Sequence, residues 1–150
     1  MTALWIINHW LHLMAAATVV GGVIFLRVAT LPVLNALDKE QKESAEPIMV
    51  RKSKALIIHS LSVLVVTGIL NLGRVFMTAP SPPSALYLML FVVKIMLVVT
   101  LFVLSFILLS PSPGFKKYHE ARPKWLVVCI ALGVSILLIS SWLRLIPPPV

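Results

Sequence analysis

Four long apolar runs decide what this chain can become. They lie near Ala3–Leu26, Lys54–Val75, Ala85–Leu109 and Leu126–Leu145. Each can cross the ~30 Å of a bilayer's hydrocarbon, which takes about 20 helical residues. No water reaches backbone N–H and C=O groups there, so a spanning segment is either a helix or a strand of a closed barrel. The runs are continuous rather than alternating, which is the helical pattern. The predicted fold is all-α: one domain over residues 1–150, built as a four-helix transmembrane bundle. With 59% hydrophobic and 12% charged residues, little remains for a soluble catalytic domain. Any chemistry belongs inside the bundle or to a partner. The first run does not read as a cleaved signal peptide, because no lysine or arginine precedes it and Ala15-Ala16-Ala17 lies in its middle.

A net charge of +8 could point to nucleic acid, but the cations map onto loops. Arg27, Lys39, Lys42, Arg51, Lys52 and Lys54 surround the first loop, and Lys116, Lys117, Arg122 and Lys124 the third. Only Arg74 and Arg144 fall on the other side. This asymmetry predicts cytoplasmic first and third loops, with both termini on the non-cytoplasmic side of the cytoplasmic (inner) membrane. The charge encodes topology, so the expected partner is membrane lipid and not nucleic acid. Trp5, Trp10 and Trp142 fit an outer interfacial belt, and Tyr118 and Trp125 an inner one. Pro32 is expected to kink or stop the first helix. Asp38–Glu46 reads as solvated and partly helical, the Thr78–Ser84 stretch as non-helical, and the end from Ile146 as an extended tail.

Two ionisable residues stand inside the runs. His12 and Lys94 are each nine residues from the outer end of their run, a depth of ~13 Å at 1.5 Å per residue. A charged group at the centre of a membrane helix costs ~2.5–3.5 kcal/mol on insertion scales, which makes such a residue a functional candidate. Neutral imidazole is the commonest transition-metal ligand and also ligates haem iron, and bundle cores hold cofactors between facing side chains. Ala15, Ala16, Ala17, Gly21 and Gly22 follow His12, offering either a groove for a flat macrocycle or close helix packing. None of the acidic residues Asp38, Glu40, Glu43, Glu46 and Glu120 lies in a run. An anion for Lys94 would therefore come from a haem propionate, another carboxylated porphyrin or a lipid headgroup. His9 and His59 are further candidate cofactor contacts, with His59 also a candidate metal ligand beside His12. His119 lies in a polar loop and reads as solvated. Cys129 is the only cysteine, which excludes an internal disulfide and a Cys-x-x-Cys-His haem attachment.

Three stretches carry a family resemblance. His12-Leu-Met-Ala-Ala-Ala-Thr-Val-Val-Gly-Gly resembles the first-helix signature of the CopD (copper resistance D) family. Arg51 through Thr67-Gly68 resembles its next helix, and Leu90-Phe-Val-Val-Lys94-Ile-Met-Leu-Val the third, with its buried lysine. The related HemJ-type protoporphyrinogen oxidases share this histidine and lysine and are haem b proteins. The resemblance implies His12 as an iron ligand and Lys94 as a catalytic or cofactor-contacting group. The chain departs from the pattern at Val19-Val20, where an aromatic usually precedes the glycines, and at Leu26, where a HemJ-type sequence has proline before Arg27.

Four functions stand open at this point. One is a haem b protein carrying electrons, alongside redox partner subunits or membrane quinone. The second is oxidation of protoporphyrinogen IX. Copper transport is the third, although copper(I) favours sulfur ligands and Met14, Met89 and Met96 are scattered. The fourth is a structural subunit without a cofactor.

Overall fold

Pro32 shapes the first helix, and not by ending it. In the computed structural model, which describes residues 2–78, 83–110 and 112–146, α1 (Thr2–Phe25) runs through a π-turn at Leu26–Thr30 into α2 (Leu31–Ala36). A proline within a helix offers no N–H to the carbonyl four residues back, and its ring collides with that carbonyl. The widened turn takes up the misfit: Leu31 N–H reaches back five residues to Leu26 C=O, and Pro32 follows at the start of α2. Of the two expectations at Pro32, a kink or a stop, the stop does not occur: the helix passes through a π-turn and runs on to Ala36.

The second span also starts earlier than its apolar run. After Leu37 and Asp38, α3 (Lys39–Thr78) is one helix of 40 residues. Asp38 caps it: its Oδ1 accepts from Gln41 N–H at 2.8 Å, satisfying one of the free donors of a helix start. Lys42 Nζ donates to Asn35 Oδ1 at 2.9 Å and ties the turn to α2. Asp38–Glu46 is helical rather than partly so, except for its capping residue. Pro47 lies within α3 on an exposed stretch, where water can satisfy the carbonyl it leaves unpaired. Thr78, expected in the loop, is the last residue of this helix. Residues 79–82 of that loop and 147–150 of the tail lie outside the described residues.

At 1.5 Å per residue, the first helix and α3 measure roughly 50 and 60 Å, against ~30 Å of hydrocarbon. Both helices run on to the Asp38 end, where α2 and the first part of α3 form an antiparallel arm. α4 (Ala85–Leu108) is capped by Ser84, whose Oγ accepts from Tyr87 N–H at 3.2 Å. The short α5 (Lys116–Glu120) then leads into α6 (Arg122–Leu145). Four helices are long and apolar enough to cross a membrane, and no strand occurs among the described residues. The protein is an all-α four-helix bundle whose exposed apolar surface belongs in lipid.

α1 packs along α3 and against α6, while α4 packs along α6 and more thinly against α3. Val19, Val23, Leu26, Ile57, Leu61, Leu101, Leu108, Leu126 and Cys129 form the core. All of them lie in the half of the bundle nearer Asp38. At that end Arg122 NH1 meets Glu46 Oε1 at 2.7 Å, joining the start of α6 to the arm. His119 Nε2 donates to Ile107 C=O at 3.2 Å, and the Tyr118 and Trp125 rings lie 5.5 Å apart.

Candidate functional site

Each helix turns one stripe of side chains toward its neighbours, at alternating steps of three and four residues. On α4 the stripe is Tyr87, Phe91, Lys94, Val98, Leu101, Ser105 and Leu108, half-buried at first and fully buried from Leu101. Lys94 therefore occupies an inward position and does not face lipid. On α1 the stripe runs through Asn8, His12, Ala15, Val19 and Val23, on α3 through Ile57, Leu61, Leu64, Thr67 and Asn71, and on α6 through Leu126, Cys129, Gly133, Ile136, Ser140 and Leu143. Toward Asp38 these stripes present almost only apolar residues. Toward the termini each presents a polar one.

Cross-helix contacts set the levels. His12 Nδ1 lies 2.8 Å from Thr67 Oγ1. One turn outward, Asn8 Nδ2 donates to Asn71 Oδ1 at 2.9 Å and to Thr67 C=O at 3.3 Å. Arg144 meets His9, and Gly133 meets Val20, so α6 reaches the level of His12 near Ser140. Lys54 Nζ sits 4.6 Å from the Phe106 ring centroid; thirteen residues outward from each lie Thr67 and Val93. Lys94 is thus within about one turn, roughly 5 Å, of the His12–Thr67 level. Electrostatics agree: Lys94, His9 and Arg144 all act on the His12 ring, and Arg144 acts on Lys94. Lys94 makes no hydrogen bond or ion pair among the described residues.

The hydrogen bonds assign the tautomer of His12. Thr67 Oγ1 donates its single proton to Val63 C=O at 2.6 Å, as hydroxyls in helices commonly do. It can then only accept from the ring, so Nδ1 carries the proton and donates. The Leu64 carbonyl, another acceptor, lies beside the same ring. Nε2 is left with a free lone pair. Ligating histidines are oriented in this way, by donating their other ring N–H to a fixed acceptor. Gly68 runs close by, with His12 Cε1 3.5 Å from where its Cβ would stand.

The other candidates fall elsewhere. His9 Nε2 accepts from Arg144 NH2 at 2.5 Å, so His9 is engaged at the outer rim. His59 is exposed, and its Nδ1–H donates to Ala55 C=O at 2.5 Å. It lies about 200° round α3 from buried Ile57 and roughly 12 Å along the helix from Thr67. His12 and His59 are not brought together. Among the described residues no three of His, Cys, Asp and Glu converge on a metal position. Met14, Met89 and Met96 are 48%, 67% and 64% exposed and face outward. The small residues after His12 do not form one groove: Ala15 is buried and Gly22 faces Ile57, whereas Ala17 and Gly21 are exposed. Asn71 and Ser140 join the layer without having been singled out in the sequence, beside Arg144, which the sequence marks only as an outer-side cation. Their signal is spacing, since Ser140 lies seven residues beyond Gly133 and Asn71 four beyond Thr67.

No family model, curated protein or solved structure matches the chain.

Proposed function

We propose that this chain is a CopD-type, haem b-binding protein of the cytoplasmic membrane that carries electrons, with both termini on the non-cytoplasmic side. The observation that carries the reading is the presentation of His12, whose Nδ1 proton is committed to Thr67 and whose Nε2 lone pair is available to iron. Lys94 and Arg144 supply cations at the same end of the bundle, and every Asp and Glu side chain lies toward the other end. A metal macrocycle with two carboxylates fits this donor set: imidazole for the iron, ammonium and guanidinium for the propionates. At this level the α4 stripe is half-exposed, from Tyr87 to Val98. Bound haem would supply one-electron chemistry. The protein's own residues orient the imidazole, balance the carboxylate charge and exclude water from below. Redox partner subunits or quinone would exchange the electrons.

Oxidation of protoporphyrinogen IX is the second reading, favoured by one specific feature. Lys94 is half-buried and has no ion-pair partner among the described residues, as suits a group that meets a substrate carboxylate or moves a proton. Copper transport draws less support, because the span methionines point away from His12. A reduced-minus-oxidised difference spectrum of the purified protein tests the proposal: a b-type signal in stoichiometric amount supports it, and a featureless spectrum after reconstitution with haemin rejects it. Turnover of protoporphyrinogen by the haem-loaded protein would favour the second reading.

A further inference from the structure

The half of the bundle that holds the termini contains His9, His12, Arg74, Lys94 and Arg144, while all five acidic residues lie at or beyond the opposite end. Arg144 meets His9 directly, and Arg74 stands 5.4 Å from the Trp5 ring centroid. The two ends also differ in closure. Going outward along α4, the inward stripe changes from buried at Leu101 to half-exposed at Val98, Lys94, Phe91 and Tyr87. Below the layer, Val19, Ile57, Leu61, Leu101 and Cys129 are all 3% exposed or less, a closely packed and mainly apolar plug in which Ser105 is the buried polar residue on the α4 stripe. Above it, polar side chains continue one turn outward, from His12–Thr67 to Asn8–Asn71, with His9–Arg144 at nearly the same level.

We propose that the His12–Lys94 layer is the floor of a one-sided, anion-selecting vestibule, open toward the end of the bundle that carries the chain termini and sealed toward the Asp38 end. Ligands reach it as anions from the terminal side. The vestibule shares its floor with the haem site proposed above but does not require haem.

Thiol labelling of haem-free protein in oriented vesicles tests this. Ser140→Cys changes one atom at the level of Lys94, and Asn71→Cys places a second thiol one turn outward. Native Cys129, in the plug, serves as the internal control. Membrane-impermeant methanethiosulfonates are added from either side, one bearing a sulfonate and the other a trimethylammonium group. Both introduced thiols are expected to react from the terminal side only. The sulfonate reagent should be faster by about tenfold or more at low ionic strength, as expected for a cleft lined by one sign of charge, with the ratio shrinking in high salt. Cys129 should stay unlabelled from both sides. Reaction from the Asp38 side, equal or faster labelling by the cationic reagent, or no labelling of inserted Ser140→Cys protein would each overturn the proposal. Failure to bind haem would leave the labelling pattern unchanged and would count against the haem reading alone.

Discussion

His12 and Thr67 meet at 2.8 Å across the α1–α3 interface, and Thr67 passes its own proton to Val63 at 2.6 Å. This chain of two hydrogen bonds gives the imidazole a defined tautomer and fixes the plane of its ring. It also joins two helices at the level where the bundle changes from a dry core to a polar layer.

Thr67→Val keeps the shape of the side chain but removes the acceptor for Nδ1–H. Loss of such an outer partner typically lowers metal affinity about 10–100-fold, and haemin titration should read a drop of that order. Thr67→Ser keeps the hydroxyl and should bind close to wild type. Equal affinity in the valine and serine variants would mean that Thr67 does not orient the ligand.

Lys94 tests the charge of the layer. Lys94→Met keeps the length and removes the ammonium, so cofactor affinity should fall while membrane insertion holds or improves, since a costly charge has left the hydrocarbon. Lys94→Arg keeps the charge but cannot deprotonate. It should restore affinity if Lys94 is a fixed cation, and restore affinity without turnover if Lys94 moves a proton. Wild-type behaviour of both variants would leave Lys94 without a role.

Gly133 sets the approach of α6 to α1. A Cβ there would stand 3.0 Å from Val20 Cγ2, so Gly133→Leu must push the helices apart or force both side chains off their rotamers. Overpacking of this kind costs about 1–3 kcal/mol. Thermal unfolding in detergent should shift downward, and the Arg144–His9 contact should loosen with it. An unchanged midpoint would show that the two helices adjust freely.

The arm formed by α2 and the first part of α3 carries most of the first-loop cations. Reporter fusions near Asp38 and in the Lys116–Lys124 loop should both report the cytoplasm, following the positive-inside bias. A non-cytoplasmic report from both would invert the topology and, with it, the side on which the vestibule opens.

Much of this was legible in the sequence. The four spans follow from run length, and the inward position of Lys94 follows from the cost of turning an ammonium toward lipid. The reach of α3 back to Lys39 was not, because a segment of mixed charge containing Pro47 has no apolar stripe to announce a helix. Placing His59 failed for a different reason. Around Ile57–Val66 the polar His59, Ser60 and Ser62 lie away from Ile57, Leu61 and Leu64, but in a membrane polar residues gather in the interior as well as at the surface, so their face alone does not tell inside from outside. The pairing of His12 with Thr67 needs the register of two helices, which no single run encodes.

The most direct measurement is haemin titration of the purified, haem-free protein beside its His12→Ala variant, with His59→Ala and His119→Ala as controls. The wild type and both controls should bind haemin saturably with a shifted Soret band and convert to a b-type spectrum on reduction, while His12→Ala should bind none specifically. Undiminished binding by His12→Ala would contradict the assignment of the iron ligand and, with it, the reading of the polar layer as a haem site.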